Sequence, residues 1–336
     1  MKRILLGIFF LFLLFACKTS KKNATINGKG MWKTLTAMDG SEPIKRHEAA
    51  FVKVKDQLYL LGGRGMKPTS IYDTKTKKWT SGATPPLEMH HFQPVVYDKN
   101  IYVLGAMTGG YPGETPVPHI YVYHPAKDTW TKGNPIPENR RRGGAGAVVY
   151  KDKIYLVCGI KDGHRGDHKN WLDVYDPKTG QWEKLPDAPR ARDHFQAVVA
   201  NDQLYLMGGR TTIAADNPFK NTIGEVDVYD FKTKSWHTLE ENLPTPRAGN
   251  FAIVVGDEII VIGGESFGQV PAHSEVEALN IKSKTWRRLS PMMQGRHGTG
   301  VVLHDNQLYV ASGCGNRGGT PELKSMERFG FARLKQ

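Results

Sequence analysis

The chain has 336 residues, 39% of them hydrophobic, with 46 Lys and Arg against 33 Asp and Glu and a formal net charge of +13. Three cysteines in so long a chain exclude a disulfide framework as the source of its stability. The basic balance favours anionic partners, whether nucleic acid, anionic lipid or acidic glycan.

Met1-Lys2-Arg3 precede an apolar run from Ile4 to Phe15. Two positive charges before about a dozen apolar residues make a secretory signal, too short to span a membrane. The run ends Leu14-Phe15-Ala16-Cys17, which resembles the lipobox of bacterial lipoproteins, where a small residue precedes the Cys that receives lipid. That resemblance implies that residues 1–16 are cleaved and that Cys17 is lipidated. Residues 17–30, rich in Lys, Ser, Thr, Asn and Gly, read as a flexible tether. Losing Lys2 and Arg3 leaves the mature chain basic. Outside the cytoplasm nucleic acid is the least fitting anionic partner, and none is expected. No acidic cluster follows Cys17, so the anchor is expected at the outer membrane, facing the periplasm.

From residue 31 a repeat governs the sequence. Trp32, Trp79, Trp130, Trp182, Trp236 and Trp286 recur at intervals of 47 to 54 residues. The last five each close a matching segment: Tyr72-Asp73, Tyr123-His124, Tyr175-Asp176, Tyr229-Asp230 and Leu279-Asn280 stand at a fixed distance before them. Upstream lies an apolar run ending in glycine: Leu58–Gly63, Ile101–Gly105, Ile154–Gly159, Leu204–Gly209, Ile259–Gly264 and Leu308–Gly313. Before each comes another apolar run and a tight turn containing Asp56, Asp98, Asp152, Asp202, Asp257 or Asp305. Short β-branched and aromatic runs bounded by Asp, Asn, Gly and Pro are strands, here four per unit, termed a to d.

Glycine pairs, a Tyr and a Trp at a period near 50 residues resemble the kelch motif, over about Trp32 to Phe329, with weakened copies at Gly105 and Gly313. The resemblance implies an all-β, six-bladed β-propeller over residues 31–331, followed by a tail at 332–336. The sixth unit lacks a closing Trp, and Trp32 has no strands before it. The N-terminal strand is therefore expected to complete blade six, which removes a free edge. The tryptophans are read as blade-to-blade packing. Cys158 and Cys314 are expected as buried small hydrophobes at equivalent strand positions. A closed propeller of this kind is expected to be a monomer.

An antiparallel meander puts the long, dissimilar b–c loops and the d–a connections on one face, where specificity usually resides. Thirteen residues before the strand-b Tyr, or before Ile260, five units carry Arg46, Arg142, Arg192, Arg247 and Arg296; the remaining unit has Met89. The next positions hold His47, His90 and His297, then His91 and His194. Strand a is innermost in propellers, so these residues are expected to ring the channel mouth. Arg46, His47, His90, Arg142, Arg192, Arg247 and Arg296, with the loop aromatics Trp171 and Tyr111, form the expected ligand-binding set, since planar guanidinium suits carboxylate, sulfate or phosphate. Arginines tying loops to carbonyls are the structural alternative. His90 and His91 are neighbours, so at most one faces the channel. His164 and His168, with Asp167 beside, raise zinc or copper as an alternative, but no Cys or carboxylate spacing of a metal motif appears and no cofactor is expected.

The leading expectation is a lipid-anchored propeller binding an acidic carbohydrate at this mouth, with a protein partner as a variant. A second is a sugar-active enzyme using His91, His194 or His297 as acid and base, since the fold resembles that of N-acetylneuraminate epimerase, whose long inter-blade insertions have no counterpart here. A polysaccharide lyase or hydrolase would use similar groups. Galactose oxidase, also of kelch type, is set aside: the chain has no room for its flanking domains. A protein scaffold is the third reading.

Overall fold

The computed structural model describes residues 30–211 and 213–331; the leader, Cys17, all of the tether but Gly30, and the 332–336 tail lie outside the described residues. Six four-stranded antiparallel sheets form the blades of a ring. Their innermost strands are Ala49–Val54, Val95–Tyr97, Gly146–Tyr150, Gln196–Ala200, Phe251–Val255 and Val301–His304, each packed against its neighbours on both sides. No α-helix occurs among the described residues; Glu138–Arg140 and Gly163–Arg165 are single 3-10 turns. None of the described elements is a helix able to cross a membrane.

Blade six closes as expected. Trp32–Leu35 pairs with Met326–Gly330, with Trp32 opposite Phe329. Four of the a–b hairpins turn on two consecutive left-handed residues, Asp98-Lys99, Lys151-Asp152, Asn201-Asp202 and Asp305-Asn306. Such turns match the right-handed twist of their strands and favour Asn, Asp and Gly.

The core lies between blades. Each of six apolar clusters joins two adjacent blades; one sets Phe251, Ile260 and Ile262 of blade five against Trp32, Leu308 and Phe329 of blade six. Burying each such side chain contributes roughly 1.5–3 kcal/mol. The tryptophans serve this packing. Five of the six lean on their own strand-c aromatic, as Trp79 on Tyr72 at 5.2 Å and Trp236 on Tyr229 at 5.1 Å between ring centroids, while Trp286 stands opposite Leu279. Trp130 Nε1 then donates to Ala83 O and Trp236 Nε1 to Pro186 O in the preceding blade. Both free cysteines are buried, but their positions are not equivalent. Cys158 stands at the first glycine of the motif with φ 56°, whereas Cys314 lies two residues beyond that place, in a b–c loop.

Candidate functional site

The arginine register corrects the expectation of a cationic ring. All five guanidinium side chains are fully buried inside their blades. Each donates to the carbonyl sixteen residues on: Arg46 to Gly62, Arg142 to Cys158, Arg192 to Gly208, Arg247 to Gly263 and Arg296 to Ser312. Four also meet a strand-c carboxylate, Asp173, Asp227, Glu277 and Glu327, at 2.7, 2.6, 2.6 and 2.5 Å. Arg46 has carbonyls and Ser70 Oγ instead. They tie strand a to strands b and c, and none is left for a ligand at the mouth. A sequence signal for this existed: the acid, or Ser70, sits two residues before each strand-c aromatic or Leu279. In blade two, where Met89 replaces Arg, the matching place holds buried Tyr121.

The residues that face the channel lie two further on. Glu48, His91, Gly144, His194, Gly249 and Gly298 all have left-handed backbones, φ 52° to 62°. Their peptide groups link the blades in a closed ring: His91 N donates to Glu48 O, Gly144 N to His91 O, His194 N to Gly144 O, Gly249 N to His194 O, Gly298 N to Gly249 O, and Ala49 N to Gly298 O. Glycine tolerates this conformation and occupies three of the six places. The other three carry ionisable side chains in it, a strain of about 1–3 kcal/mol of the kind that gathers at functional sites. Below the ring, Gln93 bonds to Ala147 and Ala197, and Gln196 to Ala252 and Thr299, bracing the channel beneath the cup.

Above the ring opens a cup of about 510 Å³. Every blade contributes a b–c loop residue to it: Arg64, Tyr111, His164, Arg210 with Phe219, Glu265, and Gly318-Gly319. Arg64, Arg210 and Glu265 share one repeat position, immediately after the glycine pair, and that recurrence was the signal for them in the sequence. Arg210 meets Glu265 at 2.6 Å, and Arg64 meets Glu114. His47 lies in the wall, its Nδ1 2.8 Å from Glu322. Trp171 is corrected: it takes no part in the cup, and its ring is capped by Arg140 at 4.1 Å and Lys169 at 5.0 Å. Tyr111, 54% exposed, does line the cup, 5.0 Å from the His164 ring.

The histidines divide by their partners. His90 is fully buried behind the wall, where Nε2 donates to Gly109 O at 3.0 Å and Nδ1 lies 2.5 Å from His91 Nδ1. A neutral His90 spends its proton on the carbonyl, so its Nδ1 accepts and His91 Nδ1 donates. His194 Nδ1 faces Asp193 Oδ2 at 2.7 Å, and His164 Nδ1 faces Glu114 Oε2 at 3.0 Å. Carboxylates accept, so these two also hold their proton on Nδ1. Burial, then His194 and His90, keep the His91 imidazole well below its ordinary range, hence neutral. His297 is the opposite case. Burial pulls it down, but Glu265, then Cys314 and Glu48, push it up to about 10. Its Nε2 donates to Asn316 O and Gly318 O, both at 2.9 Å, and its Nδ1 lies 3.7 Å from Glu48 Oε1, so this candidate catalytic residue is a buried imidazolium set between backbone carbonyls and a carboxylate. Burial would raise Glu48, yet His194, His297, His47 and Arg64 hold it down at about 2. One ring nitrogen from each of His91, His164 and His194 lies within 4.8 Å of the others. His168 stands outside this group, its Nε2 3.7 Å from Asp193.

Residues 23–270 match the family described as Attractin/LZTR1 beta-propeller. Kelch-like protein terF of Aspergillus terreus is 31% identical over 330 residues, covering 90% of this chain and 68% of that protein. Kelch-like protein 38 of Homo sapiens is 26% identical over 269 residues, 77% of this chain and 42% of its own length. Alpha-scruin of Limulus polyphemus is 27% identical over 206 residues, 58% of this chain and 21% of its own. The chain thus spans less than half the length of the latter two. The solved structure of YjhT superposes with a TM-score of 0.71 at 19% identity, over 85% of this chain and 95% of that one, which is a likeness of fold.

Proposed function

The chain belongs to the kelch-type propellers of the Attractin/LZTR1 β-propeller family, and within that family, which suits binding and scaffold roles, we propose that it binds an acidic carbohydrate in the cup. The observation that carries this reading is the convergence of two loop arginines, Arg64 and Arg210, with two loop aromatics, Tyr111 and Phe219, on one open cavity of about 510 Å³. That volume is in the range of small-ligand sites. Each guanidinium already holds one carboxylate and has five N–H groups, so it retains donors for a sugar acid. The aromatic faces offer stacking surface to a sugar ring. The site's arginines are therefore loop residues, in place of the five buried in the blades. The leader and Cys17 support a lipid anchor at the outer membrane, periplasm-facing, which places a monomeric propeller among envelope glycans.

A thermal-shift screen of uronic, sialic and sulfated sugars against their neutral counterparts tests the reading. A rise in melting temperature with the acidic members, lost in Arg64→Ala and Arg210→Ala, is expected. Equal response to neutral sugars, or none to any sugar beside a co-purifying protein, defeats it; the latter is the scaffold outcome. Replacing Cys17 by Ser should release the protein from membranes.

The geometry of His91 and His194, each bonded through Nδ1 at the channel ring, favours a second reading, a sugar-active enzyme of epimerase or lyase type in which a bare imidazole takes a proton at Nε2. Turnover of an acidic sugar, abolished by His91→Ala, would mark it.

A further inference from the structure

Where the cup meets the channel ring, His91 and His164 of its lining stand beside His194, and the Nδ1 of each imidazole is occupied. We propose that His91, His164 and His194 together bind one divalent transition-metal ion of the zinc class, each through Nε2. The rings stand edge to face, with centroids 4.6 Å apart for His91 and His194, 5.1 Å for His164 and His194, and 5.3 Å for His91 and His164. A metal needs the unprotonated nitrogen of each ring, and that lone pair is free only where the other nitrogen keeps its proton. Three acceptors of separate origin secure this: His90 Nδ1 for His91, Glu114 for His164 and Asp193 for His194. Two of them are carboxylates, the arrangement that orients histidines and raises their basicity at metal centres.

An independent observation points the same way. His194 is 7% exposed, and its Nε2 is buried with no hydrogen-bond partner. A buried polar atom left unpaired costs about 1–3 kcal/mol. His91 and His194 also hold left-handed backbones at places where three blades use glycine. The inter-blade ring sets the backbone at all six places, but it does not call for His at two of them or for an unpaired Nε2; a bound cation accounts for the side chains. Three neutral imidazoles select zinc, copper or nickel over magnesium or calcium. Three protein ligands leave a fourth position, and the cup bordered by His91 and His164 adjoins it.

The local charge admits the ion. Glu48 Oε2 lies 3.5 Å from His91 Nε2, and Asp193 and Glu114 stand behind the other two rings. Against these, Arg210 Nη2 donates to His164 Nε2 at 3.4 Å. That long contact is the one an ion displaces, and Glu265 retains the guanidinium at 2.6 Å. The inference stands whether or not the cup takes a sugar. The same lone pairs cannot serve both a metal and a proton, so stoichiometric zinc would remove the bare-imidazole enzyme.

The test strips the purified full chain with a chelator and titrates it with zinc chloride by calorimetry, with cobalt(II) absorption in parallel. One zinc per chain is expected, with visible cobalt bands of a low-coordinate nitrogen site. His164→Ala, in a b–c loop outside the blade strands, should abolish both signals. Asp193→Asn should weaken zinc by about 10- to 100-fold, and His237→Ala, exposed on an outer strand, should change nothing. His91→Ala and His194→Ala are read only beside a melting curve, because both residues belong to the blade ring; His164→Ala decides the matter if they unfold. Absence of stoichiometric zinc in the parent protein, or equal zinc and cobalt signals in His164→Ala, overturns the proposal.

Discussion

Arg247 Nη1 lies 2.6 Å from Glu277 Oε2, and neither side chain has any exposed surface. The pair exists because strand a needs a tie to strand c, and it is one of four alike. Removing one partner strands a buried charge, which typically costs 3–5 kcal/mol, while replacing both by apolar groups of similar volume is often close to neutral. Blade two already contains such a replacement, Met89 with Tyr121. Arg247→Ala should therefore lower stability by about 3–5 kcal/mol in urea unfolding, and Arg247→Met with Glu277→Tyr should recover most of it. An Arg247→Ala protein of unchanged stability would contradict the structural role.

The channel ring predicts a steric effect. Gly298 has φ 62°, and a Cβ there would come within 2.8 Å of Glu48 N. Gly298→Ala should thus cost on the order of 1–3 kcal/mol and disturb the Ala49–Gly298 bond that closes the ring. The measurement is denaturant midpoint, with hydrogen exchange at Ala49 as a local report; slow exchange equal to the parent's would contradict the expected opening.

His297 gives a signed pH dependence. Its folded value, about 10, exceeds its ordinary 6.5, owing to Glu265, Cys314 and Glu48 working against burial. Protonation then favours the folded state. The contribution is complete below pH 6.5 and is lost as pH rises toward 10. His90, held down at about 4 chiefly by burial and next by Arg64, acts in the opposite sense: its share is complete above pH 6.5 and is lost as pH falls toward 4. The melting-temperature gap between the parent and His297→Gln should be widest near pH 6 and shrink toward pH 10. A gap that is constant or grows over that range would refute the assignment.

At the cup rim, Tyr111→Ala removes an exposed ring that leans on His164 at 5.0 Å without touching any blade pair. Sugar affinity should drop by about tenfold, the order expected for losing one stacking face, with the melting temperature of the free protein unchanged. Calorimetry with the best sugar acid of the screen would read it. Undiminished affinity would move the ligand away from this wall.

The blade number and the closing strand were legible in the sequence because they rest on local, repeated chemistry. A Trp every 47 to 54 residues, a glycine pair and an Asp turn each act within one hairpin, so their count is the count of blades. The candidate site was legible only in part. His91, His194 and the long b–c loops were identified, and Tyr111 was picked out; Arg64, Arg210, Glu114 and Glu265 were not, because they come from different blades and meet only when the ring closes. The five regular arginines misled for a related reason. Their regularity showed a shared role, but they lie in the connection before strand a, where the left-handed residue two places on breaks the alternation that an extended strand would keep. Only the folded register sets the arginines into the blades, against Asp173, Asp227, Glu277, Glu327 and backbone carbonyls, and turns the left-handed residues two places on toward the channel. Short-range pattern determines the scaffold; long-range closure, which decides where each charge finds its partner, determines the site.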